Sequence, residues 1–162
     1  SVLQLLLAAL VRFAVLPRHC EPGYYCPNGE KRWECPAGRW GGEPQLASPS
    51  CSGAAKAGFF TPPGSTSPMQ VPCPGGTYGE TDGLTDATCT DLCPAGWYCP
   101  TASTNATAFA CGGPSQFCPK GSAAPTIASP GYYTVGGRED THTREVVCEP
   151  GHFCVDGERY IW

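Results

Sequence analysis

Apolar side chains fall along this chain in two ways. The first sixteen positions contain a nearly unbroken run, Val2–Leu16 (VLQLLLAALVRFAVL), interrupted by Gln4 and Arg12. From residue 20 onward the large apolar residues come mainly as adjacent aromatic pairs: Tyr24-Tyr25, Phe59-Phe60, Trp97-Tyr98 and Tyr132-Tyr133. Each pair follows a glycine, and Gly, Pro, Ser and Thr fill most of the intervals. Nothing beyond residue 19 recurs with a helical period, so no helix is expected there. Short strands around the aromatic pairs, such as Gly23–Cys26 and Gly76–Gly79, should alternate with Gly/Pro turns.

The pattern is periodic. Cys35–Gly41 (CPAGRWG) returns 38 residues later as Cys73–Gly79 (CPGGTYG), and Leu46 and Cys51 return as Leu84 and Cys89. Cys35–Pro72 and Cys73–Ala110 are therefore two copies of one unit, and Cys111–Val147 is a degenerate third whose second cysteine has moved to Cys118. A longer period of 128 residues encloses these, because Cys20–Cys26 (CEPGYYC) returns as Cys148–Cys154 (CEPGHFC) and Gly29-Glu30 as Gly157-Glu158. The chain thus divides into a signal-like or anchoring segment (1–19), the start of a cysteine-rich array (20–34), units 35–72, 73–110 and 111–147, and the truncated start of a next super-repeat (148–162). A longer array, of which this is a part, is the expectation.

The C-x-x-G-aromatic-aromatic-C motif occurs five times if His152 is counted as aromatic. Three copies keep both cysteines: Cys20/Cys26, Cys93/Cys99 and Cys148/Cys154. In the other two the first cysteine is alanine and the second threonine, Ala55/Thr61 and Ala128/Thr134. No copy keeps one cysteine without the other, as a bonded pair requires, since a lone survivor would be a reactive thiol. Those three pairs are expected to be local disulfides. Six remaining cysteines allow 15 pairings. If equivalent units pair alike, Cys35–Cys51 with Cys73–Cys89 leaves Cys111–Cys118 as a local pair. The alternative, Cys51–Cys73 with Cys89–Cys111, strands Cys35 and Cys118 far apart, so the first set is favoured. Loops of about 15 residues each contribute roughly 3 kcal/mol in the chain-entropy model, and shorter ones less. The fold class expected is small disulfide-rich repeats: short β-hairpins and turns stacked into an elongated rod, with an N-terminal hydrophobic helix.

Composition changes the picture in two respects. The 162 residues include 12 Cys, 21 Gly and 18 Pro, but only 15% charged residues and one Met. With aliphatic residues scarce beyond position 16, covalent links must replace a large core. An even cysteine count with three histidines favours disulfides in an oxidising compartment. A net charge of −4 without a basic run argues against a nucleic-acid partner. Val2–Leu16 reads as the hydrophobic part of a secretory signal, too short and too interrupted for a comfortable membrane span. Its rival readings are an uncleaved anchor and a helix docked on a neighbour. Membrane attachment is expected only through residues 1–19 or a part of the protein outside this sequence.

Candidate chemistry is thin. Zinc sites use C-x2-C or C-x4-C pairs, whereas the close spacings here are C-x3-C at Cys89/Cys93, C-x5-C in the motif and C-x6-C at Cys111/Cys118. No C-x-x-C supports redox chemistry, and His19, His142 and His152 sit at repeat edges with no free nucleophile expected beside them. Glu80, Asp82, Asp86 and Asp91 could suggest calcium, but the equivalent stretch of the first unit, Gly42–Ser50, holds only Glu43, so a solvated acidic loop is preferred. No catalytic, cofactor-binding or metal residue is assigned, no cofactor is expected, and the chain is read as non-enzymatic. Asn105-Ala106-Thr107 is an N-glycosylation sequon. The hydroxyl- and proline-rich Thr61–Pro68 (TPPGSTSP) and Ser48-Pro49 are polar turns or carriers of O-linked sugar. The aromatic pairs are expected to cover the disulfides and pack between units, more than to form a ligand stripe.

The segments CPAGRWGGEPQLASPSC and CPGGTYGETDGLTDATC resemble the cysteine-rich modules of the ephrin-receptor-like region. These are similar to the tumour-necrosis-factor-receptor repeat, whose simplest module bonds its first cysteine to its second. That resemblance implies Cys35–Cys51 and Cys73–Cys89. The run CPAGWYCP, CGGPSQFCPKGS, GYYTVGG and CEPGHFC resembles large arrayed surface proteins of algae and other protists, some associated with flagellar hairs (mastigonemes). The likeness spans residues 20–162. It implies a secreted or cell-surface glycoprotein, a structural stalk, fibre or appendage whose partners are other copies or other surface or fibre proteins. The alternative is a receptor or adhesin ectodomain binding a protein or glycan. A structural rod should present equivalent surfaces on each unit, whereas a binding protein should show one patch that breaks the repeat, and 111–147 is the candidate for such a break.

Overall fold

The computed structural model describes residues 20–29 and 31–162. The signal, anchor or helix expected over Val2–Leu16 lies outside the described residues, as do His19 and Glu30. Among the described residues there is no helix, and none therefore long and apolar enough to cross a membrane.

Fourteen strands pair in sequence order into seven antiparallel two-stranded hairpins. They are β1 (Tyr24–Tyr25) with β2 (Trp33–Glu34), β3 (Arg39–Trp40) with β4 (Gly53–Ala54), β5 (Phe59–Phe60) with β6 (Val71–Pro72), and β7 (Thr77–Tyr78) with β8 (Asp91–Leu92). After these come β9 (Gln116–Phe117) with β10 (Thr126–Ile127), β11 (Tyr132–Val135) with β12 (Arg144–Val147), and β13 (His152–Val155) with β14 (Glu158–Ile161). Between the fourth and fifth of these, the segment 93–110 closes with a single bridge, Trp97 to Ala110. Eight hairpins result, and we number them 1 to 8: residues 20–34, 35–54, 55–72, 73–92, 93–110, 111–127, 128–147 and 148–162.

One turn builds all of them. A carbonyl accepts from the amide three residues on, as from Tyr24 to Glu21 (3.1 Å), Arg39 to Pro36 (3.0 Å), Phe59 to Lys56 (2.9 Å) and Trp97 to Pro94 (3.2 Å). In seven of the eight the third turn position is a glycine at positive φ, the conformation a type II turn demands there. The residue that follows opens the first strand in every hairpin but the fifth, as Tyr24, Phe59 and Tyr132 do and as Arg39 and Thr77 do. The turn glycine's carbonyl then accepts from the first residue of the next hairpin: Cys35 to Gly23 (2.8 Å), Ala55 to Gly38 (3.0 Å), Cys73 to Gly58 (2.9 Å), Cys93 to Gly76 (2.9 Å) and Cys111 to Gly96 (3.0 Å). The C-P-x-G motif and the aromatic-pair motif, distinct in sequence, are the same structural element. Each 38-residue unit is thus two consecutive hairpins, and the backbone repeats at half the sequence period.

Successive hairpins are joined by main-chain bonds as regular as those within them. The turn glycine donates to the next hairpin: Gly23 to Gly41 (2.7 Å), Gly38 to Thr61, Gly58 to Gly79, Gly76 to Cys99 and Gly96 to Cys118 (2.8 Å each). The residue three beyond it donates further into that hairpin, as Gly41 to Ser65 (2.9 Å), Thr61 to Leu84 (3.2 Å), Gly79 to Ser103 (2.8 Å) and Cys99 to Ser122 (2.9 Å). Return bonds run the other way: Gly64 to Cys35 (2.9 Å), Gly83 to Ala55 (2.8 Å) and Ala102 to Cys73 (2.9 Å). Hairpins two apart also touch. At Gly58 (φ 81°) an added Cβ would lie 2.6 Å from the Ala102 carbonyl oxygen, and the same approach recurs between Gly38 and Gly83 (2.5 Å) and between Gly96 and Thr141 (2.6 Å). A glycine is needed there both for its backbone angle and for space.

The buried interior consists of Cys20, Cys35, Cys73, Cys93, Cys99, Cys111 and Cys118, with Ala55 and a few threonines, chiefly Thr61. The aromatic pairs are mostly half-buried around it. With so little aliphatic area to bury, hydrogen bonds and disulfides carry the cohesion that a core would otherwise supply.

Candidate functional site

Each hairpin has one interior slot between its first residue and the residue three beyond the third turn position, and the occupants of that slot explain the cysteine pattern. In hairpins 1, 5 and 8 it holds a disulfide: Cys20–Cys26, Cys93–Cys99 and Cys148–Cys154, with Cα–Cα distances of 6.0, 5.8 and 5.8 Å. Hairpin 6 carries one extra residue, Gly112, and links Cys111 to Cys118 at 5.7 Å. In hairpins 2 and 4 the first cysteine turns instead to the far end of the hairpin, Cys35–Cys51 and Cys73–Cys89 (6.0 and 6.1 Å). The third residue beyond the turn glycine is then Gly41 or Gly79. A Cβ there would sit 2.8 Å from Cys35 Sγ or 2.9 Å from Cys73 Sγ, so the sulfur occupies the side chain's place. Hairpins 3 and 7 fill the slot without sulfur, with Ala55/Thr61 and Ala128/Thr134. All twelve cysteines are paired.

Two of these polar fillings differ. Thr61 is fully buried and its Oγ1 has no hydrogen-bond partner. Thr134 Oγ1 donates to the Pro114 carbonyl and lies 2.9 Å from His142 Nδ1. The same residue type is therefore an orphan in one hairpin and the hub of a network in the other.

The carboxylates weighed for calcium are not brought together. Asp82 Oδ1 accepts from the Ala57 amide (2.9 Å), tying hairpin 4 to hairpin 3. Asp86 caps its own turn, accepting from the Thr88 hydroxyl and amide and from the Thr85 hydroxyl, which hold its carboxyl below the usual value. Asp91 lies 3.8 Å from Lys120 Nζ. Among the described residues no three His, Cys, Asp or Glu side chains are grouped as metal ligands. Asn105 sits on the exposed loop of hairpin 5.

The surface changes character in hairpins 6 to 8. The strands of hairpins 7 and 8 lengthen to four residues, and a hollow of about 490 Å³ opens between them, lined by Tyr133, Thr134, His142, Glu158, Arg159 and Tyr160 among others. Arg159 Nη1 donates to both oxygens of Glu149 (3.1 and 3.2 Å), and Tyr133 OH donates to Glu149 Oε1 (3.0 Å). Glu149 is held below its usual pKa by its own backbone amide, by Tyr133 and by Arg159, while the Arg159 pKa is raised by Glu149. Tyr160 donates to Glu158, which raises its pKa. Phe153 packs on Tyr160 and Trp162 at ring separations of 5.2 and 5.4 Å, and Ile127, Ile161 and Trp162 are strongly exposed. Glu149 and Arg159 were not singled out from sequence. Glu21, the counterpart of Glu149 in the 128-residue period, also pairs with an arginine (Arg32, 3.3 Å) that covers a tyrosine. The period sets Arg159 opposite Lys31, however, so the sequence repeat carried no signal for the arginine.

No protein-family model matches the chain, and no curated protein matches it either.

Proposed function

We propose that this chain is an extracellular structural protein, a cysteine-rich rod that serves as a stalk, fibre or surface appendage, with a flagellar hair as one setting. Six disulfides fit an oxidising, extracellular compartment. The observation that carries the reading is the main-chain ladder, which joins each hairpin to the next and brings the turn glycine against the hairpin beyond. Load applied along such an array passes through backbone bonds and covalent staples, with little reliance on side-chain packing. Stacking in which each hairpin meets the next one and the one beyond builds quasi-one-dimensional molecules. The mechanism is mechanical: staples fix each short hairpin, and hairpins stack into a spacer or an assembly surface shared with other copies or other fibre proteins. The resemblance to ephrin-receptor-like modules in algal and protist surface proteins supports the same reading.

Small-angle scattering on the non-reduced chain tests it. A compact protein of this length has a radius of gyration of about 15 Å. The rod requires a value well above that and a cross-section that stays constant along the particle. A radius near the compact value refutes the rod. The second reading, an adhesin or receptor ectodomain, is favoured by one observation, the aromatic and charged hollow that breaks the repeat in hairpins 6 to 8.

A further inference from the structure

The sequon in hairpin 5 lies on an exposed turn of the same form as the one at Asp86 in hairpin 4. Asn105 and Thr107 are both exposed. The Asn105 side chain accepts through Oδ1 from the Thr107 amide (2.9 Å) and the Thr107 hydroxyl (3.3 Å). Its Nδ2 is left without an acceptor among the described residues. The residue between them is anchored, since the Ala106 carbonyl oxygen lies 3.5 Å from Cys93 Sγ and 3.9 Å from Cys99 Sγ. The middle residue of the sequon thus packs on the disulfide, while Asn105 itself is exposed. Beside it, Phe109 is 45% exposed, its ring tilted by 30° against that of Tyr98 at 5.4 Å. Asn105, Ala108, Phe109 and Pro100 line one hollow of about 320 Å³. The exposed phenyl ring offers an apolar face to whatever fills that hollow.

We infer that Asn105 carries an N-linked glycan whose innermost sugar lies in this hollow with its apolar face on Phe109. The inference rests on the oxidising, secretory compartment argued above. In the transfer, Nδ2 bonds to C1 of the first sugar of a lipid-diphosphate-linked oligosaccharide. The C1–O bond to the diphosphate breaks, the lipid diphosphate leaves with the electron pair, and the amide nitrogen loses one proton to the transferase. The sugar then covers the face of Phe109 that no side chain covers.

The test is secretion of the full chain from a eukaryotic host, followed by peptide mass spectrometry and melting measurements. The Asn105 peptide should carry a hexosamine-based mass that peptide-N-glycosidase removes with conversion of the asparagine to aspartate. The mass should vanish in Thr107→Ala and persist in Thr107→Ser. Trimming to a single sugar should leave Tm unchanged, whereas complete removal should lower it by about 3 °C, and Phe109→Ala should abolish that difference. A bare Asn105 peptide in secreted, fully disulfide-bonded protein overturns the site. A Tm that is the same with one sugar and with none overturns the packing on Phe109. Because scattering on the deglycosylated chain reports the rod independently, failure of the glycan and failure of the structural reading are distinguishable.

Discussion

The interior slot of hairpin 3 is an invitation to a seventh disulfide. Ala55 and Thr61 occupy the two positions that hold cysteines in hairpins 1, 5 and 8, where the Cα–Cα distance is 5.8 to 6.0 Å. Both are fully buried, and the backbone around them makes the same turn and ladder bonds as in hairpin 5. The double substitution Ala55→Cys/Thr61→Cys should therefore oxidise spontaneously. Closing a loop of about seven residues contributes about 2.4 kcal/mol in the chain-entropy model. Removing the Thr61 hydroxyl, which is buried without a partner, adds about 1 kcal/mol. A gain of about 3 kcal/mol corresponds to a Tm rise of roughly 6 to 12 °C for a chain of this size.

Trypsin reads the link directly, because cleavage after Lys56 separates the two introduced cysteines onto peptides that only a disulfide between them would hold together. Two controls sharpen the result. In Gly41→Cys the new side chain collides with Cys35 Sγ and Leu46 Cδ1, each 2.8 Å from the Cβ position, so that variant should lose stability or mispair. In hairpin 7, Ala128→Cys/Thr134→Cys sacrifices the bonds of Thr134 to Pro114 and His142, so its gain should be smaller. Two titratable thiols in the hairpin 3 variant, or a Tm below that of the parent, would refute the idea that all eight hairpins share one slot.

Gly58→Ala should destabilise by more than about 3 kcal/mol in denaturant titration, because it meets the Ala102 carbonyl as well as an unfavourable φ. Gly151→Ala, with a similar φ but nothing within 4 Å, should cost only about 1 to 2 kcal/mol; equal losses would mean that the contact between hairpins two apart contributes nothing. Ala102 and Gln45 hold φ values of 63° and 64°, where Gly64, Gly83 and Gly121 stand in other hairpins, so Ala102→Gly should raise stability by about 0.5 to 1 kcal/mol despite the greater freedom of the unfolded chain. Glu149 is held below its ordinary pKa of 4.5 by its own amide, Tyr133 and Arg159. Its contribution is complete above that ordinary value and lost as pH falls through the depressed one. Tm measured against pH should thus fall less steeply on the acid side in Glu149→Gln than in the parent, and parallel curves would show that the trio is not coupled to folding.

How far the sequence could be read depended on whether residue identity or backbone geometry was the signal. The correlated loss of cysteine at Ala55/Thr61 and Ala128/Thr134 pointed to local pairs because a disulfide couples two identities at once. The 38-residue period was visible for the same reason, since it is the spacing at which the long-loop cysteines, Cys35/Cys51 and Cys73/Cys89, recur. The half-period was hidden. CPAGRWG and AKAGFFT share only an Ala-Gly pair and one aromatic position, yet they fold into the same turn, because that turn asks only for a glycine at its third position and an amide at its fourth. The left-handed position six or seven residues beyond the third turn position was hidden more deeply, being filled by Gln45, Gly64, Gly83, Ala102 and Gly121. Its carbonyl, the feature that meets the hairpin two before it, belongs to every residue type alike. What distinguishes one hairpin from another is then a single choice of slot filling: a short disulfide, a long disulfide that excludes all but glycine opposite it, or alanine with threonine. Because the backbone ladder is the same under each choice, the filling can change from hairpin to hairpin without altering the stack, and stability can be adjusted one staple at a time.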